Sequence, residues 1–467
     1  MYEQLQRFFS PSHIAVVGAS TRNHWFINMV DNAKKAGFKG RFYPVNPGAS
    51  EVCGTPAFSC IEDLPEGLID FATVIVKSTR VLATIKMLSE RSIKNILLIS
   101  SGFSEAGEDG ARLQEQLKDF CRSNNILLLG PNCLGFMNMV GRVSVFAGGS
   151  VEGDLFPGTI GLLGQSGAVS EMIATKILKK GLGISLYVTT GNEALISTED
   201  CLEHMIHDGV TRVIIGFMEG FRDVARLGRI ALEAARERIP IILIKVGRSE
   251  KGVKAAASHT GALAGDAGVM EGFFRQYGII RVESIEELVE TAGIFSRCPL
   301  PKGGRLGVCT LSGGLAGLYA DLCSRLFIDL PDLSGETAAK LMDVLPDFAQ
   351  PGNPLDVTGS GFSSGMDKIV KTLLEDERID ILAPLTFPPD SEHDARASRI
   401  NESFLSVLPS AGKPVVPITF REVSDYARQY YRDRRCYYIE HVEDGFKAIA
   451  HLIRYAEFQR RFQDKEK

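Results

Sequence analysis

The sequence predicts an α/β protein of parallel sheets, with a Rossmann-like domain first and two further units of the same alternating kind after it. Three observations carry this. In the first third, short continuous runs of β-branched and aliphatic residues recur, with roughly 20 to 30 residues of helical periodicity between them, as in central parallel strands. In the second third, each apolar run is followed by a polar or glycine-containing turn, such as Gly164-Gln165-Ser166-Gly167. Finally, 467 residues are too many for one core and suggest about three domains of roughly 150 residues each.

Strands of the first domain are predicted at Ile14-Ala15-Val16-Val17-Gly18, Phe42-Tyr43-Pro44-Val45, Phe71–Val76, Asn95–Ile99 and Ile126–Leu129. The second domain has Gly158–Leu163, Ser185–Thr189, Val213–Phe217 and Ile241–Lys245. Arg297-Cys298-Pro299-Leu300-Pro301-Lys302-Gly303-Gly304-Arg305 reads as a linker, because its prolines and glycines do not continue a helix. Beyond it, runs at Leu306–Leu311, Ile379–Leu385 and Pro414–Ile418 predict a third α/β unit. The tail from about Lys447 is an amphipathic helix suited to packing or to an interface. Domains are thus expected at 1–145, 146–298 and 299–467.

With 45% apolar residues, 23% charged residues and a net charge of −5, the composition is that of an ordinary globular protein without the electrostatic footprint of a nucleic-acid binder. No apolar run approaches the ~20 residues of a membrane span, and the N-terminal residues lack the core of a signal peptide. A cytoplasmic location without membrane contact is expected. The nine cysteines are scattered without CxxC spacing, which indicates neither a disulfide framework nor a zinc site. No metal site is expected on this chain.

Four loops carry candidate chemistry. Gly18-Ala19-Ser20-Thr21 follows the first strand, where doubly wound folds bind nucleotide phosphates, although it is not a full GxGxxG. Gly130-Pro131-Asn132-Cys133-Leu134-Gly135 follows the last strand of the first domain. Asn132 there offers donor and acceptor to a carbonyl or phosphoryl oxygen, while Cys133 reads as a structural thiol. Gln165-Ser166-Gly167 joins a strand to a helix start, whose free N–H groups favour an anion. Ser258-His259-Thr260-Gly261 sets one imidazole among small residues at a second such start.

Two helix starts could grip one phosphoryl group from two sides, with His259 as its acceptor. An imidazole in that role needs one ring nitrogen free and the other oriented by an acceptor, which Glu219 could supply from the end of its strand. A lone histidine beside a glycine turn also fits a buried structural role, and Glu219 a solvated strand end. A serine nucleophile elbow is a rival for Gln165–Ala168, but GQSGA is not GxSxG.

Taken in order, Ile14–Ser20, Tyr43-Pro44-Val45-Asn46-Pro47, Ser101-Gly102-Phe103, Gly130–Gly135, Gln165–Ala168, Gly191-Asn192, Ser258–Gly261 and Asn353-Pro354-Leu355-Asp356 form a specific pattern. With these motifs the chain resembles the α subunits of NDP-forming acyl-CoA synthetases, relatives of the succinyl-CoA synthetase α subunit. The resemblance implies a Rossmann-like CoA-binding domain followed by two flavodoxin-like domains. It implies a reversible acid–thiol ligase in which His259 shuttles a phosphoryl group between nucleotide and acyl phosphate.

By the same similarity Gly18, Ala19, Ser20, Thr21, Val45, Asn46, Pro47, Ser101 and Gly102 would lie around CoA, and Asn132 near the acyl centre. Gln165, Ser166, Gly167, Ser258, Thr260 and Gly261 would surround the phosphoryl group, with Glu219 against His259. Lys77, Leu195 and Ser312–Leu315 depart from the family pattern and leave the acyl substrate open. Because no segment remains for an ATP-grasp domain, a separate ATP-grasp β subunit is expected to hold ATP or ADP with Mg²⁺. The chain would then work in a hetero-oligomer on a small carboxylic acid and be inactive alone. Two other classes stay open: a non-catalytic CoA sensor or scaffold, and a Rossmann oxidoreductase, which the missing GxGxxG disfavours.

Overall fold

The computed structural model describes residues 2–149, 151–252, 267–359, 365–408 and 411–466. The chain divides into two compact units, Met1–Glu283 and Ser284–Lys467.

In the first unit, β1 (His13–Val17), β2 (Arg41–Val45), β3 (Phe71–Val74), β4 (Asn95–Leu98) and β5 (Leu127–Leu129) form a parallel sheet in the order β2-β1-β3-β4-β5. These are the apolar runs of the sequence, and β3 is buried along its whole length, as a central strand covered on both faces must be. The strand order reverses between β1 and β3, which opens a crevice at their carboxyl ends. After β1 the chain turns into the helix His24–Ala36, started by the Asn23 side chain accepting the Trp25 N–H and ended by Gly37 in the left-handed conformation.

A second sheet in the same unit contains β6 (Gly135–Asn138), β7 (Val143–Phe146), β8 (Pro157–Gly164), β9 (Ile184–Thr189), β10 (Val213–Met218), β11 (Ile241–Lys245) and β12 (Ile280–Val282). Its order is β12-β11-β10-β8-β9-β6-β7. Strands β8 to β12 are parallel, whereas β6 runs antiparallel to β9 and β7 antiparallel to β6. Its switch point lies between β8 and β10.

The β6–β7 hairpin is a departure from the sequence reading, which ended the first domain in a loop and placed a boundary at 145/146. Hydrogen bonds to β9 draw residues 135–146 into the second sheet. Phe136, fully buried, packs against Phe9 and Phe71 with ring centroids 5.0 and 5.9 Å away, so one side chain serves both sheets. Buried Asn32 adds a polar tie, donating from Nδ2 to the carbonyls of Phe146 at 3.1 Å and Gly148 at 3.2 Å.

The second unit has a parallel sheet β14-β13-β15-β16, formed by β13 (Leu306–Thr310), β14 (Leu355–Asp356), β15 (Ile381–Thr386) and β16 (Ile418–Thr419). Asn353 registers β13: its Oδ1 accepts the Val308 N–H at 3.0 Å and its Nδ2 donates to the Leu306 carbonyl at 2.8 Å. The run Pro414–Ile418 supplies only a short strand, since Pro414 and Pro417 have no N–H to give the ladder. The helix Ile285–Arg297, expected to close the segment 146–298, falls instead in this unit. Its fully buried Glu290 accepts the Tyr437 hydroxyl and the N–H groups of Glu440 and His441, and its Glu287 meets His451 at 2.8 Å on the C-terminal helix Val442–Glu466. Among the described residues no helix is long and apolar enough to cross a membrane.

Replacing Asn32 by Ala strands two buried carbonyls, so Asn32→Ala should lower unfolding stability by about 1–3 kcal/mol. The check is the urea midpoint at an unchanged m value; a midpoint equal to that of the parent protein would show that the tie between helix and hairpin contributes nothing.

Candidate active site

Both switch points of the first unit present loops to a ligand. At the first, Gly18 has a φ of +91°, and a Cβ there would meet the Ile75 carbonyl oxygen at 2.2 Å, so glycine is required for the chain to leave β1 past the end of β3. The Gly18 N–H donates to the Val45 carbonyl at 3.1 Å, and Asn46 Nδ2 donates to the Ala19 carbonyl at 2.7 Å. Gly18, Ala19, Val45 and Asn46 are thereby brought together, with Pro47 next in the chain. Ser20 Oγ accepts the Arg22 N–H at 3.1 Å, which places Ser20 and Thr21 in the turn leading to the helix His24–Ala36.

Ser101 and Gly102 follow β4. Glu105 accepts the N–H groups of Gly102 at 2.6 Å and Phe103 at 3.2 Å, while its second oxygen accepts from Asn192 Nδ2. Burial alone would raise the Glu105 carboxyl, but these hydrogen bonds outweigh it and hold the group below the ordinary carboxylate value.

The second switch point is organised by Gln165. Its Oε1 accepts the N–H groups of Glu219 at 2.6 Å and Gly220 at 3.0 Å, and its Nε2 donates to Glu193 Oε1 at 2.9 Å and the Gly220 carbonyl at 2.8 Å. Expected at the phosphate, this carboxamide is occupied by protein groups and ties the loop after β8 to the loop after β10. Ser166 stands in extended conformation at the start of the helix Gly167–Lys179 and makes no side-chain cap. The first N–H groups of that helix therefore keep their attraction for an anion.

Glu219 is buried at the end of β10, where its carbonyl accepts Lys245 Nζ at 2.8 Å. Burial lowers the Lys245 ammonium, and the Glu219 charge partly offsets this. His259, Ser258, Thr260 and Gly261 lie outside the described residues.

Asn132 adopts a left-handed φ of 58°, which Asn tolerates well, and its Nδ2 donates to Asn192 Oδ1 at 3.3 Å. Gly191 makes this contact possible: a Cβ there would lie 2.3 Å from the Pro131 carbonyl oxygen. Cys133 is buried, donates weakly to the Leu98 carbonyl, and burial pushes its thiol up to about 12. A neutral thiol of this kind is a packing element, as the sequence indicated.

A cavity of about 400 Å³ joins the two edges, lined by Ser101 and Asn132 from the first sheet and by Gln165, Ser166 and Gly167 from the second. The Gly18–Thr21 loop, Val45–Pro47 and Glu219 are not among its lining residues. Sequence reading singled out neither Glu105 nor Glu193. Glu193 is buried beneath the site, accepts Thr190 Oγ1 at 2.8 Å besides Gln165, and faces Arg222 at 3.4 Å. Burial raises its carboxyl despite these donors. Its signal was a carboxylate in a glycine turn at the carboxyl edge, the same signal that marked Glu219. Among the described residues no group of three or more His, Cys, Asp or Glu side chains could hold a metal ion.

Comparison with known proteins places the chain in a family. Residues 12–139 match the model of a CoA binding domain, and residues 157–295 that of a succinyl-CoA ligase like flavodoxin domain. The chain is 35% identical over 385 residues to a trans-feruloyl-CoA synthase of an unknown prokaryotic organism, covering 81% of this chain and 54% of that protein. It is 32% identical over 396 residues to the α subunit of ADP-forming acetate–CoA ligase II of Pyrococcus furiosus, covering 82% of this chain and 83% of that subunit. The chain thus spans about half the length of the first of these relatives and most of the second. Among solved structures, an acetyl-coenzyme A synthetase of Candidatus Korarchaeum cryptofilum in complex with phosphate and ADP superposes with a TM-score of 0.86 at 29% identity, over 99% of this chain and 98% of that one.

Glu105→Ala leaves the N–H groups of Gly102 and Phe103 without this acceptor, and leaves the Asn192 amide with Gln114 alone at 3.1 Å; it should cost about 1.5–3 kcal/mol at neutral pH. Because the folded carboxyl titrates below its unfolded value, its contribution is complete above the ordinary carboxylate range and is lost as pH falls through the depressed folded value. Denaturant unfolding of both proteins at neutral and acidic pH measures this. A difference that does not shrink on acidification would show that the ionised carboxylate is not what holds the loop.

Proposed function

This chain belongs to the family of the α subunits of ADP-forming acyl-CoA synthetases, and from that premise we propose that it is the CoA-binding, phosphohistidine-carrying part of such an enzyme. The reaction would be reversible: a carboxylic acid, CoA and ATP give acyl-CoA, ADP and phosphate. In this reading the first sheet carries CoA and the loops of the second sheet the phosphoryl group, both within Met1–Glu283, while Ser284–Lys467 supplies the remaining sheet and the C-terminal helix. The observation that carries it is the single cavity into which Asn132 from one sheet edge and the uncapped helix start Ser166–Gly167 from the other both open.

CoA would lie along the loop after β1, whose path is set by Gly18, where Ile75 leaves no room for a Cβ, and by the bonds that join Gly18 to Val45 and Ala19 to Asn46. CoA, when bound, supplies the thiol that accepts the acyl group. His259 would take the γ-phosphoryl group of ATP on one ring nitrogen, releasing ADP, while Glu219 orients the ring through the other. The acid's carboxylate oxygen would then attack phosphorus, breaking the P–N bond and giving an acyl phosphate whose phosphate leaves when the thiol adds. The helix start at Ser166–Gly167 would hold the phosphoryl oxygens, and the Asn132 amide would hold the carbonyl oxygen as it gains charge. Ser258, Thr260 and Gly261 would complete the phosphoryl site. An ATP-grasp chain or segment would hold ATP and Mg²⁺, in keeping with the relatives that are α subunits and with those about twice as long.

Incubation of the full chain with an ATP-grasp chain of this family, ATP and Mg²⁺ should place an acid-labile, base-stable phosphate on His259. His259→Ala should abolish it, and Glu219→Gln should slow it roughly 10- to 100-fold, as when other groups that orient an imidazole are removed. CoA binding by calorimetry with neither phosphate nor turnover would replace this reading with a CoA-binding scaffold.

A further inference from the structure

Resting on that reading, we propose that the acid activated here is a planar aromatic monocarboxylate rather than acetate or a dicarboxylate. The cavity between the two sheet edges has two kinds of wall. One is polar: Ser101, Asn132 and the helix start at Ser166–Gly167, suited to carboxylate and phosphoryl oxygens. The other is apolar, with Trp25, Ile99 and Leu134.

Trp25 is the only tryptophan of the chain and is 41% exposed. It sits in the first turn of the helix His24–Ala36, its backbone N–H held by Asn23 Oδ1 at 3.0 Å. An indole is the largest apolar surface a side chain offers, and aromatic rings gain further by stacking or meeting edge to face. Left at the wall of a cavity, it is wetted surface that a flat ligand would cover. Acetate, with a single methyl group, has nothing to cover it with.

Size points the same way. About 400 Å³ falls within the roughly 300–1,000 Å³ of pockets that enclose drug-sized ligands. Of the residues assigned to CoA, Ser101 lines this space but those around Gly18 and Asn46 do not, so it is not the seat of the nucleotide end of CoA. Glu171 also lines the cavity, its Oε2 accepting the Gly149 N–H at 3.0 Å. A carboxylate on the wall repels each negative charge a substrate brings, so a dicarboxylate such as succinate is disfavoured more than a monocarboxylate.

The test uses the full chain with an ATP-grasp chain of the family and three acids: trans-cinnamate, acetate and succinate. Cinnamate should be used with a kcat/KM at least about tenfold above acetate, the scale on which apolar pockets discriminate, with succinate lowest. Trp25→Ala should lower the cinnamate-to-acetate ratio by about tenfold, and Trp25→Phe should restore most of it. Independently of turnover, Trp25 emission in the full chain alone should respond saturably to cinnamate and not to acetate, with free tryptophan as the inner-filter control.

Acetate used as well as cinnamate, or Trp25 emission unmoved by cinnamate, overturns the proposal and leaves the ligase reading standing. Absence of turnover with every acid sinks the ligase reading instead, and the emission titration then decides the ligand class by itself.

Discussion

The first unit depends on one side chain having a single permitted orientation. Gln165 Oε1 faces two backbone N–H groups, and its Nε2 faces a carboxylate and a carbonyl. A flipped amide would set oxygen against oxygen on one side and N–H against N–H on the other. In this half-buried setting either mismatch costs about as much as an unmade hydrogen bond, and here they would occur together. The loops after β8 and β10, the two flanks of the switch point, are therefore fixed to each other independently of any ligand. The backbone at Glu219 inherits its position from Gln165, and Gln165 inherits its own from Glu193.

Carboxylates at an edge proposed to bind anions present a physical difficulty, because buried negative charge would repel the ligand. Two different solutions stand side by side. Glu105 is surrounded by amide donors, so its charge is balanced by three N–H groups and its carboxyl stays ionised. Glu193 is buried more deeply, among hydroxyls and one amide, and although burial raises its carboxyl, the Arg222 guanidinium lies 3.4 Å from it. The amide donors around Glu105 and the cation beside Glu193 both reduce the negative field that a phosphoryl group would meet at the Ser166–Gly167 helix start. Lys245 does related work on the other flank, its ammonium shared between the carbonyls of Glu219 and Val246 at 2.8 and 2.7 Å.

The parallel strands were legible because a strand covered on both faces must be apolar throughout, and runs such as Ile241–Lys245 coincide with observed elements. The helix starts after β1 and β8 were legible for a related reason, since glycine and small polar residues mark where chain must turn tightly. The β6–β7 hairpin was not. Gly135–Asn138 and Val143–Phe146 are short, and they join a sheet whose other strands follow them in sequence. Pairing partners that distant are invisible to local periodicity. Among site residues, Asn132, Ser166 and Gly167 were brought to one cavity as their loops suggested. Glu193 and Glu105 escaped notice because a carboxylate's role is set by which donors surround it, and those donors come from Gln165, Thr190, Asn192 and two loop N–H groups scattered along the chain.

The hairpin also explains why the cavity has a fixed width. The stretch from Gly130 to Gly135 is at once the loop at the carboxyl end of β5 and the entry to β6. Its middle is pinned on both sides: the Leu134 N–H donates to Thr189 Oγ1 at 2.9 Å, and the Leu134 carbonyl accepts the Ala147 N–H at 2.7 Å. Thr189 Oγ1 in turn donates a hydrogen bond to the Gly135 carbonyl at 3.0 Å. Asn132 and Ser101 therefore cannot retreat from Ser166 without breaking the edge of the second sheet. A hinge between two independently folded sheets would let the cavity vary with its occupant. A loop that runs directly from β5 into β6, bonded at both Leu134 backbone groups, instead limits that variation, so the choice among acids falls to the side chains on the wall.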